Sequence, residues 1–285
     1  VPVLAMVTDG LRKQLHTEIA TNHLLTHPLF RLFRFLDSRL LAKICAHHVT
    51  FKALLPCDQL FCMGRECDEA YLVVRGNVSY KVDFQGLSTQ SAHVSAGHWL
   101  CWAALWCHWI HPGTAEAVDS IEVMAINVRG LMAAVTLHPK LRKLFDAYGA
   151  AYHQRTVEAE PPLADWPTDL GVPHTDHWEI TWSIGRQHQM VFATAALEAL
   201  TSQPWRVRMS KRRMDILRQE LTRGRCVLME TTAEDPEHVE RMVAITALDL
   251  RRSDGRVLVR LLRWHKDDGL TRDGSLVCTK QERDE

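Results

Sequence analysis

The sequence predicts an α+β chain: a jelly-roll-like antiparallel β-roll with flanking helices, followed by a smaller α+β domain. Three observations predict it. Short apolar pieces punctuated by glycine run from Val49 to Val94, amphipathic helical spacing lies on both sides of them, and the proline pair Pro161-Pro162 closes the second helical stretch. Several short strands separated by glycine turns indicate a barrel or roll rather than alternating βα units. A length of 285 residues allows two domains that each bury a core. The expected division is a helical segment 1–36, a roll with its terminal helices 37–157, a linker 158–170, and an α+β domain 171–285.

The first elements follow from periodicity. From Thr8 onward, Leu11, Leu15, Ile19, Leu24, Leu25, Leu29, Leu32, Phe33 and Leu36 recur at helical spacing with basic residues between them. Pro28 marks a break and a restart, because proline is tolerated in the first turn of a helix. Asp37 is a natural N-cap for Ser38 to His48, whose Leu40, Leu41, Ile44 and Cys45 form one apolar face. Strand-like pieces follow at Val49–Leu54, Gln59–Met63, Ala70–Val74, Asn77–Val82 and Ala92–Val94, with Gly64, Gly76, Gly86 and Gly97 between or after them. Trp99 to Trp109 is expected to form a short helix with Trp99, Trp106 and Trp109 on one face, and Ala115 to Ile126 returns to strand. Val128 to Leu137 and Pro139 to Thr156 are expected helices, the second burying Leu141, Leu144, Phe145 and Tyr148.

Paired prolines cannot continue a helix, so Glu158 to Pro162 is expected to be an extended spacer. Beyond it, His177 to Ile184 alternates as a strand, Met190 to Leu200 and Met214 to Leu221 have helical spacing, and Cys226 to Thr232 is strand-like. Ala244 to Leu250 and Arg256 to Trp264 flank Ser253-Asp254-Gly255, a hairpin signal because glycine supplies positive φ. The basic stretch Arg206, Arg208, Lys211, Arg212 and Arg213 suits either anionic headgroups or a solvated helix start, and the second is the simpler expectation.

Composition excludes several function classes. Lys plus Arg and Asp plus Glu are 34 each, so no net field draws nucleic acid. No apolar run approaches the roughly 18 residues needed to span a bilayer. No P-loop, Gly-x-Ser-x-Gly or His-Glu-x-x-His motif is present, and no enzyme is expected. The chain begins at Val1 rather than at Met, which leads us to expect a piece of something longer. Eight cysteines show no Cys-x-x-Cys pair. Cys62-x4-Cys67 and Cys101-x5-Cys107, with His108 and His111 nearby, do not match zinc spacing, and neither do His174, Asp176 and His177. No metal is expected, and the thiols are read as reduced small hydrophobes.

Three features coincide within the roll: Phe61-x2-Gly64 followed by Asp68 and Tyr71; Arg75-Gly76-Asn77-Val78; and Gly97-x-Trp99-Leu100 leading into Ala103-Ala104-Leu105. Together they resemble the cyclic-nucleotide-binding domain family, over about half the chain. Upstream, His27-Pro28-Leu29-Phe30, Asp37, Leu40-Leu41 and Ile44-Cys45 are similar to the segment that joins pore to binding domain in hyperpolarization-activated, cyclic-nucleotide-gated and ether-à-go-go type cation channels. The helices from Leu11 to Leu25 would then match part of a C-linker.

The resemblance implies a phosphate-binding cassette at Gly97, Cys101, Trp102, Ala103, Ala104, Leu105, Gly113, Thr114 and Ala115. In that family a Glu accepts from the ribose and an Arg neutralises the phosphate at a helix N-terminus. Here Trp102 stands at the Glu position and Gly113 at the Arg position. The site is thus expected to be degraded, with His108 and His111 as the nearest replacement cations, and restoring Glu at 102 and Arg at 113 is expected to rebuild it. Two readings of Trp102 stand: an indole filling the ligand space, or one facing the core or a neighbouring helix.

What the resemblance implies for function is a non-catalytic regulatory region of a voltage-gated-type potassium or other cation channel. It would lie at the cytosolic face of a membrane, self-associate as part of a tetramer, and follow transmembrane pore segments upstream of Val1. A working cAMP or cGMP sensor and a soluble scaffold are the alternatives. At most weak cAMP or cGMP binding is expected as cofactor chemistry.

Overall fold

A computed structural model describes residues 8–83, 89–202, 211–230, 239–243, 262–265 and 269–272. Three helices open the chain. Helix α1 (Asp9–Leu24) is capped by Thr8, whose hydroxyl accepts from the Leu11 N–H at 3.4 Å. Helix α2 (Pro28–Leu36) begins at the expected proline and is capped by His27, whose Nδ1 accepts from the Leu29 N–H at 3.2 Å. Helix α3 (Ser38–His48) is capped by Asp37, which accepts from the N–H groups of Arg39 and Leu40. Leu29, Phe30, Leu32 and Phe33 of α2 enter the core. Arg31 is buried with them and closes the α1–α2 turn by donating to the carbonyls of Leu25 and Thr26.

Eight strands form the roll: β1 (Val49–Leu54), β2 (Gln59–Phe61), β3 (Glu69–Arg75), β4 (Asn77–Asp83), β5 (Thr89–Ser95), β6 (Trp99–Leu100), β7 (Gly113–Ala117) and β8 (Ile121–Asn127). They make two four-stranded sheets with orders β1-β8-β3-β6 and β2-β7-β4-β5. All the pairings within them are antiparallel. Val78, Tyr80 and Val82 alternate inward along β4, and register sets Tyr80 opposite Ala115 and Val82 opposite Gly113. The β3–β4 turn demands glycine: Gly76 has φ +85°, and a Cβ there would lie 2.5 Å from Asp119 Oδ1.

Helices α4 (Val128–Thr136) and α5 (Pro139–Glu158) close the roll, α5 burying Leu141, Leu144, Phe145, Tyr148 and Tyr152. The expected strand at His177–Ile184 is instead helix α6 (His177–Ser183). Its alternation misled because a capping box decides the local geometry: Asp176 accepts from the N3 N–H while Glu179 accepts from the Asp176 N–H at 3.3 Å. Helices α7 (Arg186–Ser202) and α8 (Lys211–Arg223) and strand β9 (Val227–Glu230) share a small core of Ala193, Ala196, Leu217, Leu221, Cys226 and Leu228.

Strand β10 (Val239–Met242) follows, and β11 (Leu262–His265) pairs antiparallel with β12 (Gly269–Arg272). By contacts the chain divides into two compact units, Val1–Arg241 and Met242–Glu285. The hairpin around Ser253-Asp254-Gly255 and the basic residues Arg206 and Arg208 lie outside the described residues. Lys211, Arg212 and Arg213 open α8.

Candidate functional site

The centre of the roll holds a charge that the sequence did not announce. Asp169, in the Thr168–Gly171 turn beyond α5, is 1% exposed. Its Oδ1 accepts from Trp109 Nε1–H at 2.8 Å and from His111 Nδ1 at 2.9 Å. Its Oδ2 accepts from the Tyr80 hydroxyl at 3.0 Å and the Gly113 N–H at 3.2 Å. The backbone is tied as firmly: the Asp169 carbonyl accepts from the Cys101 N–H at 2.7 Å, and its own N–H donates to the Tyr80 oxygen at 3.3 Å. A carboxylate can be this deeply buried only when its lone pairs are taken, and each hydrogen bond to a charged group is worth about 1.5–3 kcal/mol.

The strands and turns of the roll hold the donors in place. Tyr80 points inward from β4, Gly113 opens β7, and Trp109 and His111 approach on the segment before it. His111 stacks face to face on Phe61, with centroids 4.0 Å apart and planes 6° from parallel. Burial disfavours a charged imidazole here, but Asp169 and the Cys67 thiolate outweigh it and raise the His111 pKa to about 9.

Two thiols adjoin this pair. Cys101 adopts φ +56°, ψ +29°, a left-handed conformation that costs a non-glycine residue about 1–2 kcal/mol. Its Sγ lies 3.6 Å from Asp169 Oδ1 and 3.7 Å from His111 Nδ1. The Cys101 thiol and, after burial, His111 set the Cys67 pKa, which falls to about 6; burial and the Cys67 thiolate push Cys101 up. The Sγ atoms of Cys67 and Cys101 and a His111 ring nitrogen all lie within 4.8 Å of one another. The sequence reading had set these cysteines aside as small hydrophobes. Cys101 and His111 approach within one connection, but neither Cys62-x4-Cys67 nor Cys101-x5-Cys107 shows that Cys67 joins them from the other side of the roll.

Of the expected cassette residues, the structure brings Cys101, Gly113 and His111 onto one anion. Ala103, Ala104, Leu105 and Ala115 are buried packing residues, and Gly97 makes an exposed turn at φ +91°. The Thr114 hydroxyl accepts from the Met63 N–H at 3.1 Å. His108 is turned outward and paired with exposed Glu66 at 3.1 Å. Restoring arginine at 113 would force Tyr80 aside, since even a Cβ there would collide with the Tyr80 oxygen.

Trp102 packs against helix α2 and its cap. It stacks on His27 at 4.1 Å and meets the Phe30 and Trp99 rings edge-on. The expected helix through Trp109 is a single 3₁₀ turn, Trp102–Leu105, so the tryptophans part company. Trp109 joins the buried carboxylate, while Trp106 packs against Phe145, Tyr148 and Tyr152.

Two antiparallel four-stranded sheets framed by helices give the chain an α+β architecture built around a β-roll. Three solved structures are similar to it. The N-terminal domain of a transcriptional regulator from Streptomyces coelicolor A3(2) is 20% identical, over 48% of this chain and 92% of that one, with a TM-score of 0.39. A cyclic nucleotide-binding-like protein from Brucella abortus is 20% identical, over 41% and 97%, with a TM-score of 0.35. The sensor domain of the transcriptional regulator DNR from Pseudomonas aeruginosa is 17% identical, over 51% and 97%, with a TM-score of 0.39. No family model and no curated protein matches the sequence. No helix among the described residues is long and apolar enough to cross a membrane.

Proposed function

We propose that this chain is a non-catalytic regulatory module whose cyclic-nucleotide position is taken by its own Asp169. One observation carries the reading: a buried carboxylate collects the Gly113 N–H, the Trp109 and Tyr80 donors and the His111 imidazole. Those are the kinds of group that would otherwise receive a phosphate. A nucleotide would have to expel Asp169 or bring a second anion against it, and neither the Glu nor the Arg of the family pattern is there to compensate. The module would then act through its packing and its partners instead of through nucleotide.

Calorimetry of the full chain with cAMP and with cGMP tests this. No heat of binding is expected at millimolar ligand, and micromolar affinity for either would favour the sensor alternative and sink the closed-pocket reading. The finer reading, a gating region of a tetrameric cation channel, draws on the resemblance of residues 11–45 to a C-linker. Its test is the full-length coding sequence, where pore helices ahead of Val1 would support it and a soluble partner domain would not.

A further inference from the structure

The geometry points to a zinc site inside the roll, formed by Cys67, Cys101 and His111 with Asp169 beside it. The three thiolate and imidazole donor atoms lie within 4.8 Å of one another. Asp169 Oδ1 is 2.9 Å from His111 Nδ1 and 3.6 Å from Cys101 Sγ, and those two donors are 3.7 Å apart. Tetrahedral zinc, with bonds of about 2.0–2.3 Å, needs donor separations of roughly 3.3–3.8 Å. The Cys101–His111 edge of 3.7 Å already has that length.

The donor set selects the metal class. Two sulfurs and one imidazole nitrogen suit zinc, whereas magnesium and calcium want oxygen alone. The donors are also held in place before any ion arrives. The Cys67 N–H donates to the Trp109 carbonyl, the His111 N–H to the Arg65 carbonyl, and the Cys101 N–H to the Asp169 carbonyl, so each ligand's backbone is tied beside or onto another ligand. Trp109, Tyr80 and the Gly113 N–H already orient the carboxylate, which is the outer-shell support that metal ligands require.

Cys101, Asp169, His111 and Cys67 are 0%, 1%, 3% and 7% exposed, so the cluster is withdrawn from bulk solvent. Apolar packing explains a buried thiol, but not two thiols gathered with an imidazole and a carboxylate. On binding, the ion replaces the proton on His111 Nδ1 and the Cys101 thiol proton, and any proton on Cys67, all of which leave to solvent. The inference goes beyond the closed-pocket reading, although both use Asp169.

The experiment uses the full chain, reduced with a phosphine, stripped with a chelator, and titrated with Co²⁺ and then Zn²⁺. One equivalent of Co²⁺ is expected, with tetrahedral ligand-field bands and a thiolate-to-cobalt charge-transfer band that Zn²⁺ bleaches. Cys67→Ser and Cys101→Ser should each weaken charge transfer and lower zinc affinity by more than about 100-fold, the upper range for outer-shell changes. Exposed Cys57→Ser should change neither. Absence of stoichiometric uptake by the folded, reduced wild type overturns the proposal, and so does a full cobalt spectrum in folded Cys67→Ser. A Cys67–Cys101 disulfide with no metal uptake after reduction overturns it as well. Calorimetry with cAMP on the same preparation reports separately on the closed pocket.

Discussion

His111 and His177 are both buried in the same compact unit, and they sit in opposite electrical states. Around His177 burial dominates, with Arg31 adding repulsion, and its pKa falls to about 3. His27 is lowered too, by burial first and then by His177 and Arg31. These two rings lie 5.8 Å apart in an aromatic seam, where His27 stacks on Trp102 and His177 contacts the Tyr148 hydroxyl at 3.3 Å. His111 is no more exposed than His177, yet it holds a proton because Asp169 and a thiolate face it. Burial alone therefore does not set the charge of an imidazole; the partner does.

The largest expected effect comes from removing that partner. Asp169→Ala leaves the Tyr80, Trp109 and Gly113 donors and a buried imidazole unsatisfied, and should cost about 3–5 kcal/mol in urea unfolding of the metal-free, reduced chain. Asp169→Asn keeps an acceptor oxygen and should cost clearly less. A loss below about 1 kcal/mol for Asp169→Ala would mean that the carboxylate does not organise this half of the comparison.

Acid should act on the other half. His27 and His177 have folded pKa values below the unfolded value of 6.5, so below that pH the unfolded chain binds more protons. Stability is then lost as pH falls, by up to about 1.4 kcal/mol per pH unit for each histidine, down toward about 3 for His177. Urea midpoints measured from pH 7 to pH 4.5 should show this slope, and His177→Phe should flatten it. An unchanged slope in the variant would place the acid sensitivity elsewhere.

Next in size is Gly113→Ala. The new Cβ collides with the Tyr80 oxygen, so Tyr80 must move off Asp169, at about 1–3 kcal/mol. Thermal unfolding reads this, and a neutral outcome would show that Tyr80 is free to relax.

These predictions also mark what was legible in the sequence. The roll and its framing helices were readable because glycine turns, Asp37, Pro28 and period-2 or period-3.6 apolar patterns are local signals. Helix α6 was misread because His177 to Ile184 alternates, and only the Asp176/Glu179 capping box reveals the helix. Cys101 and Gly113 were singled out as cassette positions through resemblance, and the structure sets both against Asp169. Asp169 was not, since it lies 58 residues from His111 in a short turn that resembles any other polar loop. Its role exists only once β4, β7 and that turn have come together.

The smallest effect tests the comparison most directly. Trp102→Glu removes a stack on His27 and edge contacts to Phe30 and Trp99, an aromatic contribution of about 0.5–1.5 kcal/mol. It also installs a carboxylate beside an imidazole that now has none. If partners set the charge, the His27 titration followed by NMR should move upward, toward the behaviour of His111. Nucleotide binding should stay absent despite the regained ribose acceptor, because Asp169 still holds the anion position. Micromolar cAMP binding by Trp102→Glu alone would show that the ribose contact, and not the buried carboxylate, was what closed the pocket.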